Sequence, residues 1–340
     1  MKLQELDYKL PSSLIAYESL KKRSHSKLLT IKKESGKIKH EMFIDILDYL
    51  NPGDVLILND TKVFPARLEG VDIANNSKVE ALFLEKFISP NIWKSLIKPG
   101  KKLKIGNMFN FNNKIFAKII EIIDKVAILE LKYEGKILEI LEQIGKVPLP
   151  PYIKREEREE DRIAYQTIYA REVGSIAAPT AGFHFTEELI KMIEKKGISI
   201  VFITLHVGWG TFKPIRSKNI EDHDMQSENY QINEEAAEVI NKCKGRVVAV
   251  GTTVTRALES AYCEEVKEVL SGKRNTNIFI YPGYRFKVVD AVITNFHLPK
   301  STILALVYAF AGKQLIQNAY QEAIEKEYRF YSFGDAMYIY

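Results

Sequence analysis

Cysteine is nearly absent: the 340 residues hold two, Cys243 and Cys263, with no Cys-x-x-Cys spacing. That usage suits a reducing compartment in which disulfides are rare, and both thiols are expected to be packing residues in helices. No run of about twenty apolar residues is present, so no membrane-spanning helix is expected. Residues 1–20 show neither the basic-then-apolar order of a signal peptide nor an Arg- and Ser-rich transit composition, and a cytoplasmic protein is the expectation. The net charge of +5 and pI near 8.8 are only mildly basic for this length. They are compatible with a polyanionic partner, although a solvated surface explains them as well.

Standard fingerprints are missing too. Gly208-Trp209-Gly210 lacks a third glycine in dinucleotide-binding register, and the Gly-Lys pairs at 36, 100, 145, 272 and 312 are never followed by Ser or Thr, which removes a P-loop. There is no Gly-x-Ser-x-Gly elbow. The six histidines are scattered, with no His-x-x-x-His pair or His/Cys cluster, so no metal is expected.

What is present reads as two textures. From Ala66 to about Glu142, short alternating segments separated by Asn, Gly and Pro turns predict a small antiparallel barrel: Lys78–Leu84, Asn91–Ile97, Lys101–Ile105, Met108–Phe111, Lys114–Ile122 and Val126–Lys132. A helix at Ile137–Ile144 and the proline-stiffened Val147–Tyr152 lead out of it. Elsewhere strand and helix patterns alternate, which predicts an α/β main domain of residues 1–65 and 152–340 interrupted by the barrel domain, 66–151.

The main domain centres on residues 174–212. Gly174–Thr186 is a loop rich in Gly, Ala and Pro; Thr186 caps a helix of about three turns, and the buried-type strand Ile198–Leu205 runs into His206-Val207-Gly208-Trp209-Gly210-Thr211-Phe212. Further strands are expected at Arg246–Val250, Asn277–Tyr281 and Val288–Thr294, with helices from Asn233 to Lys244 and from Gly251 to about Leu270. Four buried strands end in polar or glycine loops: before Asn59-Asp60-Thr61, before His206, before Gly251-Thr252-Thr253 and before Asn295-Phe296-His297. In open α/β sheets such loops converge on a ligand cleft beyond the strands' carboxyl ends.

Residue by residue, plainer readings compete. His184, between two phenylalanines, reads first as a packed, hydrogen-bonded histidine and second as a catalytic one. For His206 and His297, placed after buried strands, the two readings stand nearly level. Trp209 and Phe212 are core anchors or exposed rings able to stack on a base or face a cation. Arg67, Arg256, Glu259 and Asp335 are most simply ion-paired. Lys98, Lys101, Lys102 and Lys104, with no intervening acid, form the candidate phosphate patch. The residues alone point to an α/β enzyme with a barrel insertion and a nucleotide-sized site.

Several motifs then carry a resemblance. Leu58–Val63 with Pro65–Leu68, Ala177–Thr186, Thr204–Phe212, Val250–Ser260, Tyr281–Tyr284, Thr294–Ser301 and Tyr328–Met337 together resemble the S-adenosylmethionine:tRNA ribosyltransferase-isomerase family of queuosine biosynthesis, in order and over the whole chain. The resemblance implies a discontinuous α/β domain with an inserted barrel and usually a monomer. It further implies S-adenosylmethionine as ribosyl donor and a tRNA partner carrying the aminomethyl-deazaguanine wobble base. The products would be adenine, methionine and epoxyqueuosine-tRNA. Among the matching motifs, His184, His206, His297, Asp60, Glu259 and Asp335 are the candidates to move protons, with base and acid unassigned. Thr180, Gly182, Trp209, Gly210, Phe212, Thr252, Thr253 and Arg256 are candidates for the cosubstrate, and Arg67 with the lysine patch for tRNA. Two positions depart from the family pattern: Lys62 stands where Arg is usual and Gln226 where His is common. An RNA-binding chaperone gripping through the barrel, or a hydrolase of the free cosubstrate, are the alternatives.

Overall fold

The computed structural model describes residues 1–100, 103–212 and 215–340, without the side chains of Thr211 and Phe212. The contacts expected of Lys101, Lys102 and Phe212 therefore lie outside the described residues. The chain forms two compact units, one of Met1–Thr61, Gln166–Glu172 and Ala178–Tyr340, the other of Lys62–Tyr165 and Val173–Ala177.

The first unit is built on a nine-stranded mixed sheet, in the order Gly272–Thr276, Glu228–Ile232, Ser199–Leu205, Val55–Asn59, Val247–Val250, Ala291–Asn295, Ala336–Ile339, Lys27–Lys32, Lys37–Met42. Val55–Asn59 sits centrally because it is apolar on both faces up to Asn59, and all five residues are buried. It pairs in parallel with Ser199–Leu205 on one side and Val247–Val250 on the other, and the latter pairs in parallel with Ala291–Asn295. Four neighbouring parallel strands thus end at one edge of the sheet, which brings together the four polar loops singled out in the sequence.

One face of the sheet packs Leu56, Leu58, Val248, Val250 and Ile293 against Phe185, Leu189 and Ile193. The helix Glu187–Lys195 begins as its sequence dictates: Leu189 N donates to the Thr186 hydroxyl at 3.3 Å, and acidic residues occupy the first turn. Three expectations are corrected. The helix opening at Thr252 ends at Ala261, and Tyr262–Cys263 pairs with Glu268–Val269, with Lys267 at φ 56°, a conformation no helix accepts. Cys263 therefore lies in a strand, and Cys243 follows the helix Glu234–Asn241 rather than lying within it. The strand expected at Asn277–Tyr281 is instead Gly272–Thr276, held in register by Glu228–Ile232.

In the second unit six strands close an antiparallel barrel, in the order Val126–Tyr133, Ser89–Lys98, Lys78–Phe87, Arg67–Asp72, Met108–Phe111, Ile115–Ile123. The expected strand at Lys101–Ile105 is not formed in its described part, and Arg67–Asp72 takes its place in the barrel. Gly70 is required there, because a Cβ would lie 2.5 Å from both Asn110 O and the Phe111 ring.

Candidate active site

The edge of the sheet is tied together by Asn59. Its Nδ2 donates to Leu205 O at 3.0 Å and to the Thr253 hydroxyl at 3.3 Å, and its Oδ1 accepts from Leu205 N and Thr61 N at 3.0 and 3.2 Å. One buried amide therefore fixes two strand ends and the start of a helix. Asp60 follows, 2 % exposed, accepting from the Thr204 hydroxyl and from Arg171 Nε, each at 2.6 Å. Thr61 Oγ1 lies 2.8 Å from His206 Nδ1. Burial lowers the His206 pKa below the ordinary imidazole value, with Asp60 and Glu172 opposing that shift and Lys273 adding to it. A neutral ring results, with Nε2 making no hydrogen bond among the described residues. His206 lines a polar pocket together with Thr204, Asn229, Gln231, Lys273 and Asn275.

Of the other two histidines, His184 is buried and His297 half-buried. His184 is 4 % exposed, with Nδ1 2.7 Å from the Ser26 hydroxyl and Nε2 3.2 Å from Asn295 Nδ2; Asn295 Oδ1 in turn accepts from Thr180 Oγ1 at 3.0 Å. Burial first, then the nearby cations Arg23 and Arg329, depress its pKa to about 3. With Asn295 donating to Nε2, the single ring proton sits on Nδ1 and goes to Ser26. His297, depressed to about 3 by burial, is joined through Nε2 to the Thr294 hydroxyl at 2.9 Å.

The carboxylates also separate. Glu259 accepts from Tyr284 Oη, Lys287 N, Val288 N and Val289 N at 2.9–3.1 Å, so its oxygens are occupied in holding the segment 284–289. Asp335 accepts from Lys27 N and Arg329 N at 2.9 and 2.8 Å, and burial raises its pKa. Neither forms, among the described residues, the ion pair read from the sequence. Gly182 faces no open space: a Cβ there would lie 2.1 Å from Tyr169 Oη and 2.7 Å from Thr167 Cγ2.

A second pocket lies where Gly208, Gly210, Thr252, Thr253 and Arg256 meet. Ile278, Ile280, Ile303 and Leu306 supply its apolar wall. Trp209, half-buried in the 3-10 turn Trp209–Phe212, does not line it. Gly251, at φ 96°, lets the chain turn into the helix Thr252–Ala261, whose start has no side-chain cap. Arg256 pairs through Nη1 with Glu228, their side chains 11 % and 4 % exposed, and Nε donates to Ile278 O at 3.2 Å. Glu228 Oε1 also accepts from Gly208 N at 2.9 Å. The remaining guanidinium nitrogen, Arg256 Nη2, is buried with no hydrogen-bond partner. Glu228 was not singled out in the sequence. Its signal lies in Glu228-Asn-Tyr-Gln-Ile232, where buried and exposed positions alternate and an acid falls on the inward face.

In the barrel unit, Arg67 Nη2 donates to Leu149 O at 3.2 Å, and Lys98 pairs with Glu80 at 3.4 Å. Lys104 is exposed, its backbone N–H donating to Asn107 Oδ1. Among the described residues, no group of three His, Cys, Asp or Glu could hold a metal ion, and no helix is long and apolar enough to cross a membrane.

An α/β sheet with polar loops gathered at the ends of its parallel strands, joined in one chain to a closed six-stranded barrel, is an enzyme architecture with solved counterparts. The crystal structure of an S-adenosylmethionine tRNA ribosyltransferase from Thermotoga maritima is similar at 34% identity and a TM-score of 0.55, covering 99% of this chain and 100% of that one. The family model described as "Queuosine biosynthesis protein" matches residues 3–339, and the chain belongs to that family. Proteins named S-adenosylmethionine:tRNA ribosyltransferase-isomerase from Staphylococcus aureus strains JH9 and Newman are each 52% identical over 344 aligned positions, covering 100% of both chains.

Proposed function

We propose that this protein is an S-adenosylmethionine:tRNA ribosyltransferase-isomerase of queuosine biosynthesis. It transfers and isomerises the ribosyl group of S-adenosylmethionine onto the aminomethyl-deazaguanine at the wobble position, giving epoxyqueuosine-tRNA, adenine and methionine, and acts as a cytoplasmic monomer. Relatives of that name match it end to end. The structural observation that carries the reading is Arg256: a buried guanidinium, oriented by Glu228, with one nitrogen unpaired beside a pocket of mixed apolar and polar walls. An amino-acid carboxylate would satisfy that donor, and the uncapped start of the helix Thr252–Ala261 adds positive potential in the same place. The apolar side of the pocket suits the aliphatic and ring parts of the cosubstrate.

The attacking amine must shed a proton. Among the candidate histidines, His206 lines a polar pocket and has a ring nitrogen uncommitted among the described residues, and its lowered pKa keeps it neutral and able to accept. Asp60, clamped by Arg171 and Thr204, supplies negative potential toward the imidazolium that forms. Mass spectrometry of products tests the whole reading. Adenine and methionine released only with precursor-bearing tRNA is the expected result. Release without tRNA would make the protein a hydrolase, and tRNA binding without release a chaperone.

A further inference from the structure

Beside His206 the sheet continues into two antiparallel edge strands, and the register makes a flat face. Thr204 is opposite Gln231, which is opposite Lys273; one row on, His206 N donates to Asn229 O at 2.9 Å, and Asn229 is opposite Asn275. Residues directly opposite share a face, so the six side chains form two rows of three across three strands, with none apolar. Asn229, Gln231, Lys273 and Asn275 are exposed, while Tyr230 and Ile232 between them are buried. Gly272–Thr276 is the last strand of the sheet, so nothing pairs with its outer side among the described residues.

Its place beside His206 distinguishes this face from an ordinary solvated one. Lys273 forms no ion pair among the described residues, whereas Lys98 of the barrel is matched by Glu80. Arg274, opposite the buried Tyr230, belongs to the other face. Glu172 is the one acid in the lining. The face therefore offers an ammonium outside any ion pair beside three side-chain amides, which can each donate and accept at a base edge. It has no exposed aromatic platform, so recognition here is by hydrogen bonds and phosphate contacts rather than stacking. The apolar pocket holding Arg256 is reached from the same His206–Gly210 segment, so the segment contributes residues to both pockets.

We propose that this polar three-stranded face receives the RNA nucleotide to be modified, with its base edge toward His206, Asn229 and Asn275 and an adjoining phosphate on Lys273. The inference rests on the function proposed above and adds to it a site for the RNA in the α/β unit, separate from the barrel lysines.

The test uses the full-length protein, a fluorescent anticodon stem-loop RNA and a salt titration of binding. In Lys273→Ala the log–log salt slope should become shallower by roughly 0.7 to 0.9, the share of one lost phosphate contact. KM for precursor-bearing RNA should rise without a matching rise in KM for S-adenosylmethionine. Lys273→Arg, which keeps the charge, should retain the wild-type slope, and thermal melts of both variants establish that they are folded. A folded alanine variant with wild-type slope and wild-type KM for RNA would overturn the proposal. Wild-type protein that binds the RNA with the expected slope yet releases no adenine would instead sink the ribosyltransferase reading while leaving the RNA face standing.

Discussion

Replacing Arg256 by Lys separates what its two terminal guanidinium nitrogens do. Nη1 is committed to Glu228, and Nη2 has no partner in a pocket wall whose side chains are nearly inaccessible to water. A lysine ammonium can still meet Glu228, so the buried charge stays compensated, but the forked geometry that supplies a second, unpaired donor on this pocket-lining residue is lost. A hydrogen bond to a charged group is worth about 1.5 to 3 kcal/mol, which corresponds to roughly 10- to 150-fold in affinity. Initial rates at saturating tRNA should therefore show KM for S-adenosylmethionine raised by that factor, with tRNA affinity and melting temperature close to wild type. Glu228→Gln is the companion: it leaves a guanidinium buried without its counter-ion, a loss of about 3 to 5 kcal/mol, and should lower the melting temperature strongly. If Arg256 serves only the fold, Arg256→Lys would bind S-adenosylmethionine with unchanged KM, and that result in a folded variant would refute the reasoning.

Three further outcomes follow from the geometry. His206→Asn should slow single-turnover transfer by about 10²- to 10⁴-fold while preserving the melting temperature, and the acid limb of the wild-type kcat/KM profile should fall below the ordinary imidazole value near 6.5; an unchanged rate would remove His206 from proton transfer. His184 and His297, with folded values of about 3, make stability pH-dependent. Above about pH 6.5 neither state binds these protons, and between there and about 3 only the unfolded chain does, so melting temperature should drop as pH falls through that window, less steeply in His184→Asn. Gly145→Ala should destabilise by about 1 to 3 kcal/mol, because its Cβ would lie 2.1 Å from Pro65 O and 2.6 Å from Leu141 O, backbone atoms that cannot rotate away; a wild-type melt would contradict the packing described.

The fold was legible where the pattern was local. Val55–Leu58 is an uninterrupted apolar run, Thr186 and Asn233 stand at true helix starts, and barrel strands such as Met108–Phe111 alternate cleanly. What escaped was decided by distant partners. Glu264–Leu270 has apolar residues at helical spacing, yet Val269 is buried by a hairpin with Tyr262, and the tail strand Ala336–Ile339 exists because Lys27–Lys32 and Ala291–Asn295 lie on either side of it. Glu228 illustrates the same limit at the site. An acid on the inward face of a strand announces that a partner is needed, but its partner is 28 residues away on a helix, and only the folded chain names Arg256.

His184, His206 and His297 all lie in family motifs, and their surroundings rank them. A proton carrier needs a ring nitrogen that a substrate can reach and a pKa near enough to working pH for the proton to leave again. His184 has both nitrogens bound, to Ser26 and Asn295, and a pKa near 3 that would make protonation costly. His297 has the same low value, and its Nε2 is held by Thr294. For His206, Asp60 and Glu172 partly offset the burial, and its ring borders a pocket. The difference arises from chain position: His206 stands one residue beyond the end of its strand, at the rim of the sheet, whereas His184 is enclosed by Phe43 and by the residues that hold Asn295. His184 is thus suited to fixing the loop Thr180–His184 against the strand that ends at Asn295, and His206 to exchanging a proton with what enters beside it.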